Sequence, residues 1–390
     1  MSAPDVAALL AELERSEPDL ADEARTAVEW LTGGEPLETV TQLDVCEFLW
    51  YTLPLKVGGD HERLARSLGK LLELGGMPRY AALCTSQTTK KILYTYARDG
   101  EDAGTTFYQR ALERTGVLPP NVAELQWSMI MGPEELGAHV ACSAALELAI
   151  VSGEPGDRHA LTRRWLTEPR TELGGDSWLH RVHGERLNRW VLGRGPARRE
   201  LAQPFEVRLH APISPQPLPA LHGLLSLSLE GLPMRLAPSP QALRLRDLAE
   251  RELGALSRDG ARLSITENGR RLLEDPQAMW EAVTRLLVGT GGHELDVAAR
   301  EAALLLLADC TLMSPAELNE RVGEVVGAEG WHPTSGPDDI AGSLADLVAQ
   351  LTALDLAFSD DLAIRLTRTG QLAALSSLRT HALRPRQYVA

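Results

Sequence analysis

The stretch Leu263 to Leu273, LSITENGRRLL, returns later in the chain as Ile364 to Ala374, IRLTRTGQLAA. Both copies read apolar-x-apolar-Thr-x-x-Gly, the pattern of a short strand that turns into a helix. Thr266 and Thr367 stand where a side-chain hydroxyl accepts a backbone N–H two or three residues on and so caps the new helix.

Reading outward from the second copy, a first helix is expected over Val297 to Asp309. Ser314-Pro315-Ala316-Glu317 then supplies Ser at N-cap, Pro at N1 and Glu at N3 of a second helix. A third helix starts near Asp338, with Ile340, Leu344, Leu347, Val348, Leu351 and Leu354 as its apolar stripe. Phe358, Asp360-Asp361 and Ile364 to Leu366 make a hairpin, and the last helix follows Thr367. Around the first copy, helices are expected over Leu218 to Leu229 and about Leu243 to Leu256. A hairpin through Asp259-Gly260 follows, with its return strand over Arg262 to Ile265. Asp275-Pro276 starts a further helix that ends at Gly289. The order of helices and hairpin predicts two winged-helix-like units.

Residues 1–152 read as helix after helix. Val6, Leu9, Leu10 and Leu13 recur at helical spacing, and a second helix runs from about Asp19 to a stop at Gly33-Gly34. Thr41 and Asp44 are spaced as an N-cap and its returning acid, and the apolar run Phe48, Leu49, Trp50, Leu53 is expected to end at Pro54. Further helices fit His61 to Leu74, Thr88 to Arg98, Ala103 to Arg114 and Pro133 to Ile150. Residues 153–215 differ: eleven arginines stand between Arg158 and Arg208 against six acids. Phe205, Val207 and Leu209 alternate with polar residues as in a half-buried strand, and Pro212, Pro215, Pro217 and Pro219 read as an extended linker. The expected architecture is mainly α: a helical domain over 1–152, an Arg-rich connector over 153–215, and winged-helix-like units over 216–290 and 291–390.

With 390 residues, 44% of them hydrophobic, the chain is long enough for a large core and more than one domain. A net charge of -15 repels a phosphate backbone unless a basic patch is set apart. Only Lys56, Lys70, Lys90 and Lys91 are lysines, an arginine bias that reflects codon composition. Cys46, Cys84, Cys142 and Cys310 are widely spaced, without a Cys-x-x-Cys pair, and read as reduced core residues. No leader is legible at the N-terminus and no stretch approaches a membrane span, so a cytoplasmic location without a membrane partner is expected.

A winged helix reads DNA by placing its third helix in the major groove. In the second unit that helix carries Asp338, Asp339, Asp346 and Asp355, and no Lys or Arg occurs between Arg321 and Arg365. That sequence disfavours DNA. Residues for an anionic or nucleic-acid contact would be Arg181, Arg186, Arg189, Arg194, Arg198 and Arg199 in the connector, and Arg244, Arg246 and Arg251 in the first unit, where Asp247, Glu250 and Glu252 intervene. His180 and His183, near Asp176 and Glu185, have a spacing that would serve a metal, but His-Glu-x-x-His is absent and a local structural role is the simpler reading. Gly175-Asp176-Ser177 echoes the start of one esterase class without the strand and helix alternation that chemistry needs. No nucleophile elbow, phosphate loop or dinucleotide turn is present, and Gly289-Thr290-Gly291-Gly292 reads as a helix stop and hinge. The acid pairs Glu134-Glu135 and Asp338-Asp339 sit at helix starts, where they favour the macrodipole. No cofactor, metal or catalytic residue is assigned.

The two Thr-x-x-Gly segments, Leu-Glu-Asp-Pro-x-x-x-Trp at 273–280, and the Thr-Gln-Leu and Phe-Leu-Trp-Tyr groups within 41–51 resemble multi-helix, winged-helix-containing proteins of high-GC actinobacteria. That group has no established activity, so the resemblance implies fold and transfers no functional residue. The leading expectation is a non-enzymatic regulatory or protein-interaction module whose partner is another protein. The alternatives are a DNA-binding transcriptional regulator, and an enzyme or small-molecule binder using the N-terminal helical domain.

Overall fold

The computed structural model describes residues 5–153, 156–233, 239–259, 262–289, 294–309, 312–331, 338–360 and 362–387. The chain is mainly helical and divides into two compact units, Met1–Val182 with Arg386–Ala390, and His183–Pro385.

The first unit is built from helices whose ends follow from local chemistry. Thr41 caps the helix Gln42–Glu47 reciprocally: its hydroxyl accepts from Asp44 N–H, and the Asp44 carboxylate accepts from Thr41 N–H at 2.8 Å. Asp60 and Ser86 cap the helices His61–Leu74 and Gln87–Asp99, and Gly33 at φ 59° ends the helix Ala21–Thr32. The apolar run expected to stop at Pro54 continues instead to Lys56. A π-helical turn, Phe48–Thr52, directly precedes the helix Leu53–Lys56. Its wider winding leaves space for the ring of Pro54, which has no N–H to place in an ordinary ladder. Trp50, at the centre of that turn, is fully buried and donates its indole N–H to Thr89 at 2.8 Å. The main core of this unit gathers Leu13, Val28, Leu49, Trp50, Leu68 and Ile92, while a smaller one joins Val122, Leu125, Ala138, Cys142, Leu166 and Val182.

In the second unit one hydrophobic core runs from Leu187 to Ala382. Among the described residues five short strands accompany the helices: β1 Leu232–Pro233, β2 Leu256–Asp259, β3 Arg262–Ile265, β4 Ala357–Ser359 and β5 Ile364–Leu366. They form a three-stranded antiparallel sheet in the order β1-β3-β2 and a two-stranded hairpin β4-β5, with Met313 bridged to Ile364. The strand expected over Phe205 to Leu209 is absent. Those residues form a short 3-10 turn, Gln203–Phe205, and the helix Glu206–His210. Phe205 and Leu209 are buried, but Val207 between them is 86% exposed. The apolar spacing that counts is therefore four residues, a helical repeat, and Val207 contributes nothing to it.

The repeated stretch is repeated in geometry too. Leu263 pairs with Leu232, and at the equivalent position Ile364 pairs with Met313. Thr266 N–H donates to Ala255 C=O at 3.0 Å and Thr367 N–H to Leu356 C=O at 2.9 Å. Each threonine hydroxyl then accepts from the glycine N–H three residues on, Gly269 and Gly370, both at 3.0 Å. A Cβ on Gly269 would lie 2.1 Å from Ala255 O, and one on Gly370 1.8 Å from Leu356 O. The glycine of the motif is thus required by the close approach of the new helix to the chain entering the hairpin. Before the second hairpin stand the helices Glu294–Ala308, Pro315–Gly327 and Asp338–Ala353; before the first stand Pro219–Leu227 and Pro240–Asp247, the latter extended by a π turn Leu248–Glu252.

Candidate functional site

The connector arginines are positioned by helices Trp178–Leu192 and Pro196–Ala202, and most of them are held by groups of the protein itself. Their focus is Glu301, a fully buried carboxylate on the helix Glu294–Ala308. It accepts from Trp190 Nε1 at 2.8 Å, from Arg194 Nε and Nη2 at 2.9 and 2.8 Å, and from Arg198 Nη1 at 2.6 Å. His381 Nε2 lies 3.2 Å from the same carboxylate. Arg198 also donates Nε to Glu329 at 2.7 Å, and its Nη2 reaches the other oxygen of Glu329. Burial alone would push the Glu301 carboxyl up, but Arg194, the neighbouring His381 and the Trp190 N–H outweigh it and hold it below its ordinary value. His381 is held down to about 4 by burial, which Glu301 opposes and Arg384, Arg194 and Arg198 reinforce. These groups form a polar core with two arginines folded inward, in which the Glu301 carboxylate is fully engaged while His381 Nδ1 is buried without a partner among the described residues.

Of the remaining connector arginines, Arg186 donates to Leu383 C=O at 2.6 Å and Arg189 to Glu185 at 2.8 Å. Arg199 donates to the carbonyls of Leu192 and Arg194 at 2.9 and 3.2 Å, and Arg181 lies 3.5 Å from Glu134. No continuous basic face is needed to account for the arginine count of this segment. The sequence contains no signal for these pairings, because the acids that answer Arg194 and Arg198 stand more than a hundred residues away.

A second network lies between the helices Pro240–Asp247 and Asp338–Ala353. Arg244 donates to Glu252 at 2.6 Å, Asp346 at 2.7 Å and Asp247 at 3.3 Å. Arg300 donates to Asp346 at 2.7 Å and to Gln350 at 3.1 Å, and Gln350 donates to Glu252 at 3.1 Å. The charge of Asp346 on the acidic third helix is therefore compensated from outside that helix. Asp355 has its own local role: at φ 57° it turns the chain after Ala353 toward β4, in a conformation that Asp tolerates better than most residues. Arg251 pairs with Asp247 at 2.9 Å. Arg246 has no hydrogen-bond or ion-pair partner among the described residues, and its Nε is buried.

Beside this network a groove of about 480 Å³ is lined by Ala341, Leu344, Ala345 and Val348 together with Pro240, Gln241 and Leu318. Around the adjoining hairpin, Leu312, Phe358 and Leu362 are 63%, 65% and 81% exposed. Phe358 stands opposite Arg365 on the two-stranded ribbon, within the hairpin expected from the sequence.

The first unit offers less chemistry. Cys46, Cys84 and Cys142 are buried free thiols. Burial pushes Cys84 and Cys142 up to about 12, so neither supplies a thiolate at neutral pH. Cys310 lies outside the described residues, as do Thr290, Gly291 and Gly292 of the expected hinge, Gly260, and Asp361 of the second hairpin. Glu147 accepts from Gln42 N–H at 2.7 Å and from Tyr80 OH at 2.8 Å, a carboxylate used to join helices. His180 Nδ1 is hydrogen-bonded to Asp176 at 2.7 Å, and Ser177 Oγ accepts from His180 N–H at 3.2 Å, so this serine finishes a helix start. Among the described residues no three His, Cys, Asp or Glu side chains converge on a metal-sized site, and no helix is long and apolar enough to cross a membrane.

The chain matches no protein-family model, no curated protein and no solved structure.

Proposed function

We propose that the chain is a non-enzymatic protein-interaction module whose His183–Pro385 unit carries two winged-helix-like segments. Support for the fold reading is the order helix, bridge at Met313, two helices, hairpin, helix around the second repeat, together with the equivalent pairing of Leu263 and Ile364. The observation that carries the functional reading is the exposed apolar set Leu312, Phe358 and Leu362 around one hairpin, beside a groove lined by alanine, leucine and valine. Large apolar side chains gathered at a surface mark contact sites for other macromolecules. DNA fits this part of the molecule poorly, because the third helix of the second repeat is acidic and the two arginines that reach it, Arg244 and Arg300, are paired with its Asp346.

The test is quantitative affinity capture from the native cell with the wild-type chain and with the double variant Phe358→Ser, Leu362→Ser. A stoichiometric protein partner that the variant loses, at an unchanged unfolding midpoint, supports the reading. Recovery of the wild-type chain without a partner removes it.

A further inference from the structure

We infer that the notch around Arg246 binds a single phosphate group. This notch of about 390 Å³ is lined by Leu243, Arg244, Arg246, Asp247, Glu250 and Arg258. Three arginines line it, and they differ in their ion pairing. Arg244 is ion-paired through Nη1 and Nη2 to Asp247, Glu252 and Asp346, with only its Nε left without an acceptor, and Arg258 donates to Glu250 at 3.1 Å. Arg246 has no partner among the described residues, although its Nε is buried. Including the surrounding pairs, the network holds the cations Arg244, Arg246, Arg251, Arg258 and Arg300 against the acids Asp247, Glu250, Glu252 and Asp346. Arg246 is the cation left over. A guanidinium with no counter-charge beside a partly buried notch is costly, and an oxyanion in the notch would supply that charge and an acceptor for its terminal N–H groups.

Phosphate suits the lining better than a carboxylate. Its tetrahedral oxygens can accept from the Arg246 fork and from an N–H of Arg258 or Arg244 together, whereas a planar carboxylate is completed by one fork. A small phosphate also suits it better than a nucleic acid. Charges beyond about 10 Å are screened at moderate salt, so a lone phosphate responds to the local excess of one cation. A polyanion spreads along the surface and meets the repulsion of a chain carrying -15. The inference stands apart from the reading of the apolar hairpin, and its failure would leave that reading untouched.

Calorimetric titration of the full chain with inorganic phosphate at low ionic strength tests it. One saturable site is expected, with Arg246→Gln weakening affinity at least about ten-fold, as loss of a charge-assisted fork should, and Arg246→Lys falling between the two. Arg271→Gln, at a site that does not line the notch, should shift affinity by less than about two-fold, the scale of a surface charge. Arg258→Gln, which alters another lining residue of the notch, serves if Arg246→Gln fails to fold and should weaken binding in the same direction. A parallel titration with N-acetyl-O-phosphoserine amide identifies the source: tighter binding than inorganic phosphate indicates a phosphorylated side chain, and equal or weaker binding a free phosphate. The inference is overturned by the absence of a saturable phosphate site, by equal affinity in Arg246→Gln, by acetate binding as tightly, or by a DNA duplex that displaces phosphate at lower concentration.

Discussion

Arg194 holds the buried carboxylate of Glu301 through two parallel hydrogen bonds, Nε to Oε2 at 2.9 Å and Nη2 to Oε1 at 2.8 Å. Glu301 is also the acceptor for Trp190 and Arg198, so its removal strands several donors at once. Glu301→Ala should therefore destabilise the second unit by about 3–5 kcal/mol, the cost of leaving buried charges without their partner. Urea unfolding at neutral pH measures it. A loss below about 1 kcal/mol, the scale of an exposed pair, would mean that the network is not held as described.

Stability should fall on mild acidification. Burial holds His381 down to about 4, and burial likewise holds His139 down to about 4 against the opposing charge of Glu135. An unfolded histidine titrates near its ordinary value of about 6.5. Between these values the unfolded chain binds more protons than the folded one, so the stabilisation is complete above about pH 6.5 and is lost as pH falls toward 4. The two histidines lie in different units, so unfolding followed separately in each unit should show the trend twice. His139→Asn should flatten it in the first unit and His381→Asn in the second. Equal unfolding midpoints at pH 7 and pH 4.5 would refute the assignment.

Gly269 and Gly370 should resist replacement to a similar degree. An added methyl would stand 2.1 Å from Ala255 O in one copy and 1.8 Å from Leu356 O in the other, and both obstacles are backbone atoms that also accept from Thr266 or Thr367. Gly269→Ala and Gly370→Ala should each destabilise by at least about 1–3 kcal/mol, as overpacked sites do. Thermal unfolding of the two variants provides the check, and a neutral result in either would separate the two copies.

The letters disclosed much of the local structure and little of the long-range chemistry. Caps at Thr41, Thr266, Ser314 and Thr367 were legible because each depends on neighbours within three residues. The Thr-x-x-Gly repeat was visible as a strand followed by a helix. The reason for its glycine was not, since Ala255 and Leu356 come close only after the hairpin folds. Pro54 was misread because proline usually ends a helix, and nothing in the letters signals the π turn that carries the chain past it. The arginines were counted as surface charge because Glu301 and Glu329 lie far along the chain from Arg194 and Arg198. Composition reports how many charges there are and is silent on which of them face inward.

The segment around Val207 permits the most direct discrimination between the expected strand and the observed helix. On a strand, Phe205, Val207 and Leu209 would share one buried face; in the 3-10 turn Gln203–Phe205 and the helix Glu206–His210 that follows it, Phe205 and Leu209 are buried and Val207 stands 86% exposed. Leu209→Ala should then cost about 2–5 kcal/mol through lost burial and the space left behind. Val207→Ser should stay within about 0.5 kcal/mol, as exposed substitutions do. Chemical unfolding of the two variants in parallel measures the contrast. Comparable losses at both positions would restore the two-residue period, because only a shared buried face makes Val207 and Leu209 equally costly to replace.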